Sequence, residues 1–164
     1  VLSRGLGDVY KRQVIYLSNF FIMKTLLEKK AIKFCEENKH RLSLPRVEVL
    51  KIIGASKKPI KAYEILEKLA QKIANPKPPT AYRAIDFWLK HNFIHRIESL
   101  NSYAACSAEH FHEGSHFMIC DDCGDVIESH SLEVPELLRQ NTEKVSFVPK
   151  KWNLEITGTC KKCI

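Results

Sequence analysis

Two Cys-x-x-Cys pairs, Cys120/Cys123 in ICDDCG and Cys160/Cys163 in the closing CKKC, are the residues of this chain best suited to chemistry. Each short turn directs two sulfurs to one point, so the two turns together supply the four thiolates of a closed tetrahedral zinc site. The 36 residues between the pairs exceed the usual zinc-ribbon spacing, but they leave room for a strand, a helix and a return strand. A thioredoxin-like redox motif needs one pair beside a strand-to-helix step and leaves the second pair unexplained. Disulfides belong to oxidising compartments, and nothing else in the sequence points to secretion. An iron–sulfur cluster is the remaining competitor. Structural zinc is the reading that the spacing within the two pairs favours.

A second set of ligand types lies between the basic and acidic halves of the chain: His95, Cys106, His110, His112, His116 and Glu128. Each has an ordinary reading by itself, as a packed strand histidine, a buried thiol or a solvated carboxylate. Together they bracket a junction, and a Cys, two His and a carboxylate satisfy tetrahedral zinc. A site built for ferrous iron or manganese favours oxygen and imidazole, so Cys106 tilts the choice toward zinc. Cys35 reads differently. It shares a helical stripe with apolar residues and is expected to be a small buried hydrophobe.

The elements that must position these groups divide by charge. Residues 24–98 hold 17 Lys/Arg against 8 Asp/Glu, a net of +9, whereas residues 99–164 hold 6 against 10, a net of −4. This pattern suits a basic unit meant for a polyanion followed by a more acidic unit built around metal. In the basic unit, Leu27, Ala31, Phe34 and Cys35 share one helical face, and Val49, Leu50 and Ile53 share another after Ser43, an expected N-cap. Ala62, Ile65, Leu66, Leu69 and Ile73 form a third stripe. After the Pro-rich stop at residues 75–79, Ala81, Ala84, Ile85, Trp88 and Leu89 predict a fourth helix that presents Tyr82, Arg83, Asp86 and Lys90 outward. Residues 93–98 and 103–106 then predict a hairpin. Helices followed by two short strands read as a winged helix. Its fourth helix, through Thr80, Tyr82, Arg83 and Lys90, is expected to meet the major groove of DNA, with Lys57, Lys58, Lys61 and Lys77 near phosphates.

In the acidic unit, residues 116–119 and 126–130 predict strands on either side of the first Cys turn. Val134, Leu137, Leu138 and Val145 predict a helix with an apolar stripe, and Trp152, Leu154 and Ile156 predict a half-buried strand. The fold class is therefore α+β. The expected divisions are a winged-helix unit at 23–106, a His-rich hinge at 107–115 and a zinc-stapled α/β unit at 116–164. Residues 1–22 fit neither unit. Their apolar run from Val14 to Met23 mimics a signal peptide without a cleavage site, so Met23 is read as the native start. No apolar run approaches the ~20 residues of a membrane-spanning helix, and the expected location is the cytoplasm.

With those pieces in place, residues 24–164 resemble the ferric uptake regulator superfamily, and within it the zinc uptake regulator branch. The stretches that carry the resemblance are RLSLPRVEVL, KPPTAYRAIDFWL, FIHRIESLNSYAAC, FMICDDCGDVIE and CKKC. The resemblance implies a homodimeric, zinc-responsive repressor of zinc-acquisition genes on a two-fold double-stranded DNA operator, with no enzymatic activity, small-molecule substrate or membrane partner. It implies a structural zinc on Cys120, Cys123, Cys160 and Cys163. It further implies a regulatory zinc on His95, Cys106, a link histidine and Glu128, with His112 preferred and His110 or His116 as substitutes. The chain departs from the pattern in the length of the link, at Leu44-Pro45 where Pro-Gln is usual, and at Ala81 where Val is commoner. The alternatives are an iron or peroxide sensor of the same superfamily, or a DNA-binding protein switched by thiol oxidation.

Overall fold

The computed structural model describes residues 26–107, 114–131, 134–150 and 152–164, and of residues 130 and 131 the backbone alone. The expected leader at 1–22, the start at Met23 and the link histidines His110 and His112 lie outside the described residues. Four helices come first: α1 (26–37), α2 (Leu44–Gly54), α3 (Ala62–Ala70) and α4 (Pro78–Lys90). They are followed by strands β1 (Ile94–Ile97), β2 (Ser102–Ala105), β3 (Gly114–Cys120) and β4 (Val126–Ser131), helix α5 (Glu136–Lys144) and strand β5 (Trp152–Gly158). Among the described residues, no helix is long and apolar enough to cross a membrane.

The apolar stripes read from the sequence converge on one core. Ala31 and Cys35 of α1, Val49, Leu50 and Ile53 of α2, Ile65 and Leu69 of α3, and Ala81, Ala84, Ile85 and Trp88 of α4 are buried together. Burial pushes the Cys35 thiol up, as befits a packed hydrophobe. Helix α2 buries Val49, Leu50, Ile52 and Ile53 because it packs against α3, α4 and β2. Prolines sit in the first turns of α2 and α4, where an N–H would have no helical partner. Ser43 is the N-cap of α2 but makes no side-chain cap bond. At the start of α3, Glu64 accepts the Lys61 N–H at 2.9 Å instead. The indole N–H of Trp88 donates to the Arg46 carbonyl at 2.8 Å and ties α4 to α2.

β1 and β2 pair antiparallel from Ile94↔Ala105 to Ile97↔Ser102, and the turn at 98–101 closes the wing. Ile60 adds an isolated bridge to Tyr103 through reciprocal bonds of 2.9 and 2.8 Å. A one-residue bridge leaves no period in sequence, so this third member of the wing sheet is found only in three dimensions.

The second sheet has the order β4-β3-β5, antiparallel on one side of β3 and parallel on the other. The segment that carries α5 links the end of β4 to the start of β5, which both lie beside Gly114 on opposite sides of β3. Gly114 starts β3 under the Trp152 ring. A Cβ there would come within 1.8 Å of the indole, so the close pairing Gly114↔Trp152 requires glycine. The wing's rear face packs onto this sheet, with Ile97 buried against Phe117 and Ile119.

The expected helix is present as α5, with Val134 before it and Val145 beyond it; Leu138 is half-buried, whereas Leu137 and Val145 are 69 % and 73 % exposed. On β5, Trp152 and Leu154 are half-buried but Ile156 is 49 % exposed. Alternation showed which face of each element is apolar, but not whether this chain alone covers it.

Candidate metal centres

The Cys120/Cys123 turn joins β3 to β4, and β5 delivers Cys160/Cys163 beside it because β5 runs parallel to β3. Two backbone turns shape the ligands, with Gly124 N–H bonded to the Cys120 carbonyl at 2.9 Å and Cys163 N–H to the Cys160 carbonyl at 2.8 Å. Gly124 takes φ +69°, which glycine adopts without strain. The four sulfurs lie within 4.8 Å of one another. The Cys123–Cys160 and Cys160–Cys163 sulfurs are both 3.7 Å apart. That separation matches the ~3.8 Å edge of a tetrahedron with Zn–S bonds of ~2.3 Å, and it is far from the ~2.05 Å of a disulfide. All four thiols are free. The donor set therefore fits zinc.

Electrostatics favour one thiolate at the outset. The backbone N–H groups of Cys123 and Cys160 point at Cys120 and bring its thiol down to about 6. The Cys160 N–H donates to the Cys120 sulfur at 3.3 Å. Cys163, hydrogen-bonded to Cys160 and Cys123, is pushed up to about 12, because neighbouring sulfurs compete to ionise without a cation among them. Asp125 flanks the turn. The Lys162 ammonium, 3.0 Å away, holds its carboxyl below the usual range, with help from Lys58.

The second group joins the wing to the sheet. His95 lies on β1, Cys106 just after β2 and Glu128 on β4, and their ligand atoms all lie within 4.8 Å of one another. Glu128 pairs with Phe117, so both face the wing. His95 Nε2 is 2.9 Å from Glu128 Oε1, while Ser107 donates its backbone N–H and its hydroxyl to Oε2, each at 2.9 Å. Burial works against ionisation of Glu128, but His95 and Ser107 outweigh it and hold the carboxyl below its ordinary range. A nitrogen, a sulfur and an oxygen donor so placed fit a cation that accepts all three, as zinc does.

His116 does not join this group. It alternates with Phe117 along β3 and so falls on the opposite face, where its ring stacks on Trp152.

On the winged helix, Tyr82, Arg83 and Lys90 are exposed on α4, Thr80 is half-buried in its first turn, and Lys57, Lys61 and Lys77 are exposed. Lys58 departs from expectation. Its ammonium donates to the Cys123 carbonyl and lies 3.9 Å from Asp125, so it is engaged with the Cys120/Cys123 turn rather than held out toward a phosphate. Sequence reasoning missed Arg41, Ser43 and Arg46, which line a groove with Thr80 and Arg83. Arg46 stacks on Phe87 at 3.6 Å and donates to the Arg41 carbonyl. The motif RLSLPR carried two arginines, but only packing places them beside the start of α4. Ser107 was also missed, and adjacency to Cys106 was the only hint.

Residues 37–157 match the Ferric uptake regulator family. The chain is 35% identical over 137 residues to the zinc uptake regulation protein of Escherichia coli K12, covering 82% of this chain and 79% of that protein. A solved zinc uptake regulator complexed with zinc and DNA superposes with a TM-score of 0.79 at 34% identity, over 86% of this chain and 95% of that one. The holo form of XcZur gives 0.75 at 33% identity, over 85% and 97% of the two chains. The apo form of XcZur gives only 0.50 at the same identity, so this structure is nearer the holo arrangement. On its sequence and its fold, the chain belongs to the ferric uptake regulator family.

Proposed function

We propose that the chain is a zinc-responsive DNA-binding repressor of zinc-uptake genes. In this reading it acts in the cytoplasm as a homodimer on a double-stranded operator with two-fold symmetry. It carries one structural zinc and at least one regulatory zinc per chain. The observation that carries the reading is the approach of His95, Cys106 and Glu128 to within 4.8 Å of one another where the wing meets the sheet. The zinc uptake regulators among its relatives, one of them solved with zinc and DNA, support the choice of metal and partner. A thiolate in the donor set favours zinc over ferrous iron or manganese.

Residues 23–106 read the DNA, 107–115 form the hinge and supply His112, with His110 as its substitute, and 116–164 dimerise. Thr80, Tyr82, Arg83 and Lys90 on α4 face the major groove, while Lys57, Lys61, Lys77 and Arg41 approach phosphates. Met118, Ile127 and Ile156 stand side by side on one sheet face and are 41 %, 54 % and 49 % exposed. Leu137, Val145, Phe147 and Val148 add further exposed apolar surface. A second copy covers these residues in the dimer. The all-thiolate set leaves no open position for a reacting water.

Zinc at the second group would bond residues of both units at once and so favour one arrangement of the α4 helices across the dimer. His95 and Cys106 bring the wing to this point, and Glu128, bonded by His95 and Ser107, brings the sheet. A tenfold preference for that arrangement corresponds to about 1.4 kcal/mol per site, and DNA tightens zinc by the same factor.

The test is zinc per chain in reduced protein across a series of buffered free-zinc concentrations. One zinc that resists chelation and at least one that exchanges are expected. A single inseparable zinc with no further uptake would remove the sensing role.

A further inference from the structure

The wing is fastened to the sheet at two points, and only one of them involves candidate metal ligands. At the open end of the hairpin stand His95 and Cys106, facing Glu128. At the closed end, the carboxylate of Glu155 on β5 accepts the Glu98 N–H at 2.7 Å through Oε1 and the Ser99 N–H at 3.0 Å through Oε2. Two consecutive amides of the wing turn are thus gripped by one carboxylate from the other unit. The turn is braced internally as well, with Arg96 bound to Glu98 and to the Asn101 side chain, each at 3.1 Å. It therefore moves as one piece with the wing.

We propose that Glu155 is a positioning residue for DNA recognition. It holds the wing tip so that closure at the His95 end sets the orientation of α4. The inference rests on the zinc-sensing reading. A single fastening at the open end leaves the hairpin free to pivot. The second lies roughly 10 Å away, the span of a four-residue strand at about 3.3 Å per residue, and removes that freedom. Between them, Ile97 is buried on Phe117 and Ile119 and acts as the fulcrum. α4 follows the wing closely, because only residues 91–93 separate it from β1 and the Phe93 N–H is bonded to the Trp88 carbonyl at 3.0 Å. Fixing the hairpin therefore fixes the helix that carries Tyr82 and Arg83. Glu155 bonds the wing turn and Asn153, and in doing so it stabilises the same closed arrangement that the candidate ligands do. By linkage it must strengthen regulatory zinc binding and zinc-dependent DNA binding alike.

The experiment uses Glu155→Gln in the full chain, with a DNA duplex selected by the parent protein with zinc from a random-sequence pool. Gln keeps the size but loses the charge, and it turns an amide toward an N–H donor. The variant is expected to keep its chelation-resistant zinc and its dimer. Its exchangeable zinc should bind more weakly, and the gain in DNA affinity on zinc addition should fall by about fivefold or more. Amide exchange at Glu98 and Ser99 should speed up while Trp88 stays protected. A parent with a zinc-dependent gain and a variant with the same gain would overturn this proposal alone. A parent with no such gain would overturn the sensing reading and this proposal with it. Unchanged exchange at Glu98 and Ser99 would show that the grip does not exist in solution.

Discussion

His95 Nε2 and Glu128 Oε1 lie 2.9 Å apart although they belong to different sheets, one in the wing and one beside the zinc knuckle. The Glu128 carboxyl is held below its ordinary range by His95 and, through its other oxygen, by two donors from Ser107. A buried carboxylate so satisfied is a ready anionic ligand, and the Cys106 sulfur lies within the same group. The wing, the knuckle and the second donor set thus form one mechanical unit.

The helical core should fail first at Trp88, which is fully buried and hydrogen-bonded to the Arg46 carbonyl. Trp88→Ala removes both contributions and should cost about 3–5 kcal/mol. Urea unfolding followed by circular dichroism measures this. The chelation-resistant zinc should persist, since the four cysteines sit on elements that do not touch Trp88.

Dimerisation should depend on the exposed sheet face. Met118 is flanked by Ile127 on β4 and Ile156 on β5 in register. A charge at the centre of an apolar interface is left without a partner, so Ile156→Asp should shift the protein from dimer to monomer in sedimentation experiments. Retention of a tight dimer would place the interface elsewhere.

The Glu155 grip should disappear in acid. Burial opposes ionisation of this carboxyl, but the Ser99 hydroxyl and the N–H groups of Ser99 and Glu98 hold its pKa below the ordinary value. Glu98 and Arg96 are the charged neighbours on the wing turn. A carboxylate with a lowered native pKa stabilises the fold fully above its unfolded value, ~4.3, and loses that contribution as pH falls through the native one. Glu155→Gln should therefore be less stable than the parent at neutral pH, and the gap should close as the pH falls below ~4.3 and through the lowered native value. A gap independent of pH would mean that the charge plays no part.

Much of this was legible in the sequence, and the rest was not for physical reasons. The Cys pairs and the α4 stripe are local patterns, in which spacing along the chain fixes geometry. His95, Cys106 and Glu128 were three of six candidates that only the family resemblance singled out, and their approach to one another is a fact of the fold. Lys58 could not be read, because whether a lysine meets a phosphate or the Cys123 carbonyl depends on how two units approach. Glu155 was equally silent, since backbone amides of a distant turn leave no signature. His116 misled because it shares the link's composition but belongs to β3, whose alternation turns it away from Glu128. The partly exposed stripe of α5 shows the same limit, as periodicity identifies an apolar face and says nothing of what covers it.

The central claim is tested most directly by the affinity of a selected DNA duplex measured with and without exchangeable zinc, in the parent and in Cys106→Ser. The account predicts a zinc-dependent gain of about tenfold or more in the parent and none in the variant, with the dimer and the chelation-resistant zinc intact in both. An undiminished gain in Cys106→Ser would contradict it.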